Sequence, residues 1–131
     1  MPISPTEWLD YARTQVGAAS EAAWRSAASR AYYGAYHATL PIATPLLGSD
    51  GGGSHERVIK ALTNCRSNDV GPQRASALKS LGYLLSHARA SRVAADYNTS
   101  VCFTGHEAAA AIDEANSVLA HIAANQAVLA P

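Results

Sequence analysis

Ser29-Arg30-Ala31-Tyr32-Tyr33-Gly34-Ala35-Tyr36-His37-Ala38 is the stretch from which the chain is read. It is an alanine- and tyrosine-rich run in which Arg30 and His37 stand seven positions apart. In an α-helix that separation is just short of two turns, so both project from nearly the same face, about 10 Å apart along the axis. The same stripe runs through Ala23, Ala27, Gly34 and Pro41, neighbours small enough to let another helix backbone approach closely. An arginine and a histidine on a close-packed face need partners for their polar atoms.

Outward from this segment the chain is punctuated as a series of helices. Ser4-Pro5-Thr6-Glu7 supplies a capping serine, a proline at the first helical position and a glutamate at the third, with Ile3 and Trp8 placed as a hydrophobic staple. That helix is expected to run to about Val16, where Gly17 can end it. The central helix starts near Ser20 and is expected to reach about Leu40, with Pro41 and Pro45 kinking or ending it. Residues 48–53 read as a glycine-rich flexible linker, after which Ser54 caps a short helix to about Asn64. A fourth helix spans about Pro72 to Tyr97, its core stripe Leu78, Leu81, Leu85 and Ala88 turning polar at Arg92 and Asp96. Thr104 and Glu107 form a second capping box, opening a last helix to about Val128 with Ile112, Ala115, Leu119 and Ile122 inward. No segment has strand periodicity. The pattern predicts an all-α fold, an up-and-down four-helix-type bundle with an additional short helix, as one domain over residues 1–131.

Ser-Arg-Ala-Tyr-Tyr-Gly-Ala-Tyr-His-Ala also resembles the signature helix of the HEPN superfamily, small helical-bundle proteins of bacteria and archaea. Gly53-Ser54-His55-Glu56-Arg57-Val58-Ile59 and Arg92-Val93-Ala94-Ala95-Asp96-Tyr97 resemble two further elements of the same branch, in the expected order. The resemblance implies a HEPN-like four-helix core. Many HEPN proteins are metal-independent ribonucleases that use an arginine and a histidine with four to six residues between them, a spacing whose upper limit Arg30 and His37 satisfy. It also implies a composite site at a homodimer interface and a toxin–antitoxin or defence setting, where a small nucleotidyltransferase is a frequent companion.

Composition bounds the partners. The 131 residues are 48% hydrophobic and 15% charged, with zero net charge, which suits closely packed helices and argues against binding nucleic acid by bulk electrostatics. The low charge fits a self-associating protein. Between Arg57 and Arg92, however, seven basic residues face Asp69 alone, enough for a local basic surface or an ordinary solvated helix face. No apolar run or leader sends the chain to a membrane, so the expected location is cytoplasmic. Cys65 and Cys102 lack metal-ligand spacing and read as reduced and structural, and His87, His106 and His121 are isolated. No metal or other cofactor is implied.

Metal-free RNA cleavage needs a base for the ribose 2′-hydroxyl and a cation for the negative phosphorane, roles that suit His37 and Arg30. Tyr33, one turn after Arg30, could orient the arginine or touch a base. His55, at a helix start, and Arg92, fixed by Asp96 and Tyr97, complete the candidate substrate-binding set. The structural reading has Arg30 bonded to Asp96 or a helix carbonyl, and His37 donating to a tyrosine. The sequence therefore supports two functions: a metal-independent endoribonuclease, or a non-catalytic helical module binding a nucleotide, RNA or a partner protein. Ala31 after the arginine and the zero net charge favour the second.

Overall fold

The computed structural model describes residues 3–48 and 55–130. Among them are seven α-helices and no strand: α1 (Pro5–Val16), α2 (Glu21–Ala43), α3 (His55–Thr63), α4 (Ser67–Val70), α5 (Pro72–Tyr97), α6 (Gly105–Ala124) and α7 (Gln126–Leu129). The fold is an all-α bundle. Helix α2 is its centre, packed against α1, α5 and α6, while α3, α4 and α7 lie on α5.

The ends follow local chemistry. Ser4 Oγ accepts from Glu7 N and Ser4 N donates to Glu7 Oε1, both at 3.2 Å, and Thr104 and Glu107 repeat the arrangement at the start of α6. Ser20 Oγ accepts from Ala23 N to open α2. Gly71, at φ 89°, turns the chain into Pro72 and α5 in a conformation that disfavours any side chain.

Leu78, Leu81 and Leu85 of α5 are fully buried, and with Leu9, Tyr32, Val58, Leu62 and Val118 they form one contiguous core. Gly34 lets α1 approach α2. A Cβ there would lie 2.5 Å from Leu9 Cδ1 and 2.9 Å from Pro5 O. The small-residue stripe is thus occupied, at Gly34, by a helix of the same chain. Trp24 Nε1 donates to Val16 O at 3.1 Å and ties the same two helices at their connection.

Two boundaries differ from expectation. Helix α2 passes through Pro41 to Ala43 and continues as a 3₁₀ turn, Thr44–Leu46. Proline removes one N–H and crowds one carbonyl, and so near the helix end the loss is small enough for Thr44 N–H to Leu40 O to close the last turn. Helix α6 stops at Ala124, because Asn125 turns its side chain back to donate to His121 O at 2.8 Å, and α7 follows as a separate turn. The bundle therefore carries three short helices, α3, α4 and α7, where one was expected. Beyond Gly48, the linker read over 48–53 lies outside the described residues, as does Ser54.

No helix among the described residues is long and apolar enough to cross a membrane. Cys65 and Cys102 are free thiols; Cys65 is half-buried, but Cys102 is exposed on the connection before α6 and has no packing role to match its expected structural one.

Candidate functional site: a cation and aromatic cluster across α1, α2, α3 and α5

Arg30 and His37 are both exposed on α2. The link between them is Trp8 of α1. The Arg30 guanidinium lies 5.6 Å from the centre of a Trp8 ring, and the His37 ring is stacked with Trp8 at 6.2 Å and 19°. Trp8 is there because the Ser4 capping box starts α1 just ahead of it and Gly34 admits α1 against α2. Beside Arg30, Ile3, Glu7, Trp8 and Tyr11 complete a shallow groove of about 440 Å³. Among the described residues Arg30 has no carboxylate partner. The bond to Asp96 envisaged in the structural reading is absent, and no hydrogen bond joins His37 to a tyrosine there.

Asp96 serves Arg92 instead. Arg92 Nε lies 2.9 Å from Asp96 Oδ2, an ion pair set at an angle that does not make it a hydrogen bond, and Ser29 Oγ donates to the same oxygen at 3.3 Å. Arg92 Nη2 donates to Tyr33 Oη at 3.2 Å. Its guanidinium also faces the rings of Tyr33 at 5.4 Å, Tyr97 at 5.7 Å and Tyr32 at 5.9 Å. Partial burial works against the Arg92 charge, but Tyr33, Asp96, Tyr97 and Tyr32 outweigh it and hold the pKa above the usual arginine value. Tyr33 thus orients an arginine, though Arg92 of α5 and not Arg30 of its own helix. Its ring also stacks 6.3 Å from His37, which joins the Arg92 group to the Arg30 and His37 face.

His55, the first residue of α3, faces inward. Its Nδ1 lies 2.7 Å from Tyr32 Oη, and its ring is 4.3 Å from Tyr36 and 6.2 Å from Tyr33. Desolvation lowers its pKa, with Arg92, Arg89 and His37 adding to the effect. Burial raises the pKa of Tyr32, which is 1% exposed. Tyr32 is therefore a phenol facing a neutral imidazole, and we assign Tyr32 O–H as donor to Nδ1, leaving the proton of His55 on Nε2. Where the sequence placed His55 as an anion contact at a helix start, the side chain is committed to Tyr32.

All seven residues selected from the sequence, Arg30, His37, Tyr33, His55, Arg92, Asp96 and Tyr97, thus belong to one network. Sequence reasoning missed Trp8 as the bridge, Tyr32 and Tyr36 as the partners of His55, and Arg89, whose charge acts on His55 and Tyr32. The spacing of α2 carried a signal for the tyrosines, since Tyr32 and Tyr36 are four apart and share a face. Among the described residues no group of three or more His, Cys, Asp or Glu side chains is gathered as a metal would require.

The cluster offers exposed cation and imidazole groups beside flat aromatic rings. Such a surface can grip a phosphate and stack a base. Compared with models of known protein families, with curated proteins and with solved structures, the chain matches none.

Proposed function

We propose that this chain is a HEPN-like protein acting on RNA, with Arg30 and His37 as a metal-independent endoribonuclease pair. The observation that carries the reading is that both side chains are exposed on one face, set against the same indole, with no carboxylate of the described residues within ion-pair distance of Arg30. Their chemistry then divides as follows. The His37 imidazole takes the proton of a ribose 2′-hydroxyl, the 2′-oxygen attacks phosphorus, and Arg30 stabilises the charge that gathers on the phosphorane. The bond to the 5′-oxygen breaks, leaving a 2′,3′-cyclic phosphate, and the departing oxygen needs a proton from an acid.

That acid supports a dimeric site. His55, the other histidine of the cluster, has a lowered pKa and accepts from Tyr32, so it is a poor proton donor. A second protonated imidazole is supplied if a second copy brings its own Arg30 and His37 face to the first. The homodimer, the toxin–antitoxin or defence setting and a nucleotidyltransferase-type antitoxin as companion rest on the resemblance of the Arg30–His37 segment to the HEPN signature. A non-catalytic module binding RNA, a nucleotide or a partner protein is the second reading. It is favoured by the rigidity of the inner network, where Arg92 and His55 are already held by Asp96, Tyr33 and Tyr32.

The test is incubation of wild-type and Arg30→Ala/His37→Ala protein with total RNA in the presence of a chelator. Cleavage by wild type alone, with 2′,3′-cyclic phosphate ends, is the expected result. Equal behaviour of the two, with matched helicity by circular dichroism and several RNAs tried, would move the assignment to the binding module.

A further inference from the structure

On the outer side of α5, Ser86, Arg89, Ala90, Val93, Tyr97 and Asn98 line an open groove of about 710 Å³. Arg89 forms one wall. Its Nε is buried without a hydrogen-bond partner, and no carboxylate lies within ion-pair distance of it among the described residues, Glu56 being paired with Lys60. A half-buried guanidinium that feels the Glu56 charge but pairs with no carboxylate among the described residues is costly, and an anion reaching it from the groove would relieve it. At the other end Tyr97 is 70% exposed, a large ring left in solvent. It is backed by Arg92, which Asp96 holds in place, so the ring is a prepared stacking surface. Between the two lies an apolar floor of Ala90 and Val93, with the hydroxyl of Ser86 and the amide of Asn98 at its edges.

Cation, flat ring and hydrogen-bonding edge are together the chemistry of a nucleotide. Side-chain contacts link the groove to the Arg30 and His37 face, because Arg92 lies against both Tyr97 and Tyr33, and Tyr33 stacks with His37. We propose that this groove is a second nucleotide subsite, with a phosphate at Arg89 and a base on Tyr97, and that the ligand is a single RNA strand laid from Trp8 across Tyr33 to Tyr97. This deepens the RNA reading above and rests on it for the identity of the ligand. A duplex fits poorly, since its bases are stacked inside and cannot reach Tyr97, and a chain of zero net charge gains little from the phosphates alone.

The test separates binding from cleavage by using a single strand of about eight nucleotides made uncleavable by 2′-O-methyl groups, followed by fluorescence anisotropy. Tyr97→Ala and Arg89→Gln should each weaken binding about tenfold, while Tyr97→Phe, which keeps the ring, binds as wild type does. The matching duplex and adenosine monophosphate should each bind at least about tenfold more weakly than the strand. Wild-type affinity in both Tyr97→Ala and Arg89→Gln would overturn the subsite, and mononucleotide binding as tight as the strand would overturn the strand path. Tyr97-dependent binding by a protein that leaves unmodified RNA intact would keep the subsite and remove the nuclease. Cleavage indifferent to Tyr97 and Arg89 would do the reverse.

Discussion

Tyr32 and His55 show how one contact between helices sets the chemistry of the cluster. Desolvation lowers the His55 pKa, so the folded state binds fewer protons than the unfolded chain once the pH falls below about 6.5, the ordinary histidine value. The contribution of this residue to stability is therefore fully present above the unfolded pKa and declines as the pH drops through it. Urea midpoints measured from about pH 8 to about pH 5 should fall on the acid side, and His55→Gln should flatten that part of the slope. Tyr32→Phe removes the hydrogen bond and should cost roughly 1 kcal/mol in the same assay at neutral pH. What the sequence disclosed at this scale depended on whether a pair lay within one helix. Arg92 and Asp96 were readable as a pair because they are four apart, and Arg30 and His37 as one face because they are seven apart. Tyr32 and His55 sit on different helices, and their meeting depends on how α3 is set against α2, which no local spacing encodes.

Helix α2 takes its environment from α1, and the closeness of the two depends on Gly34. Alanine is the better helix former by about 1 kcal/mol, so by propensity alone Gly34→Ala should stabilise. The added methyl would instead meet Leu9 Cδ1 at 2.5 Å and backbone or Cβ atoms of Pro5 and Trp8 at 2.9 Å. Overpacking of this kind costs about 1–3 kcal/mol, and it wins because a backbone carbonyl cannot move aside as a side chain can. Thermal unfolding should show a destabilised variant, and Trp8 fluorescence should shift as α1 moves outward.

At the other end of the site, Arg25 holds the last turn of α5. It donates to Ala94 O at 3.3 Å, Ala95 O at 2.8 Å and Asn98 O at 3.2 Å, and also to Val101 O, while its guanidinium lies over Phe103. Ala94 O also accepts from Asn98 N–H, and past it, at the helix end, the i+4 donors run out and Arg25 takes their place. Arg25→Ala should cost about 2–3 kcal/mol, as hydrogen bonds to a charged donor do, and hydrogen exchange should quicken first around residues 94–101. The start of each major helix was legible because capping boxes and prolines are local signals. The passage of α2 beyond Pro41 and the stop of α6 at Ala124 were less so, because single bonds at Thr44 and Asn125 settled them.

For the whole molecule, helical periodicity was sufficient to give an all-α bundle, and the polar end of the α5 stripe correctly marked where the core gives way to a cluster. The sequence could not say which helix would fill the small-residue stripe. The answer at Gly34 is α1, so close approach by a second copy at that point is already excluded, and any dimer built on this face meets Trp8, Arg30 and His37 as side chains. A composite site that draws on the His37 of both copies also implies that one defective chain silences its partner. Exchange of subunits with an excess of Arg30→Ala/His37→Ala protein leaves each mixed dimer a single His37, so wild-type cleavage of a labelled strand should fall toward zero. Independent subunits would keep their activity.

The central claim is that Arg30 and His37 act as one unit on RNA, and a double-mutant cycle measures that directly. Single-turnover cleavage rates of a defined single-stranded RNA, with a chelator present, are compared for wild type, Arg30→Ala, His37→Ala and the double variant. The account predicts that either substitution alone lowers the rate about as much as both together, because residues that act on one transition state are strongly non-additive. Losses that simply add would contradict a shared site, and rates that none of the substitutions changes would contradict any catalytic role for this face.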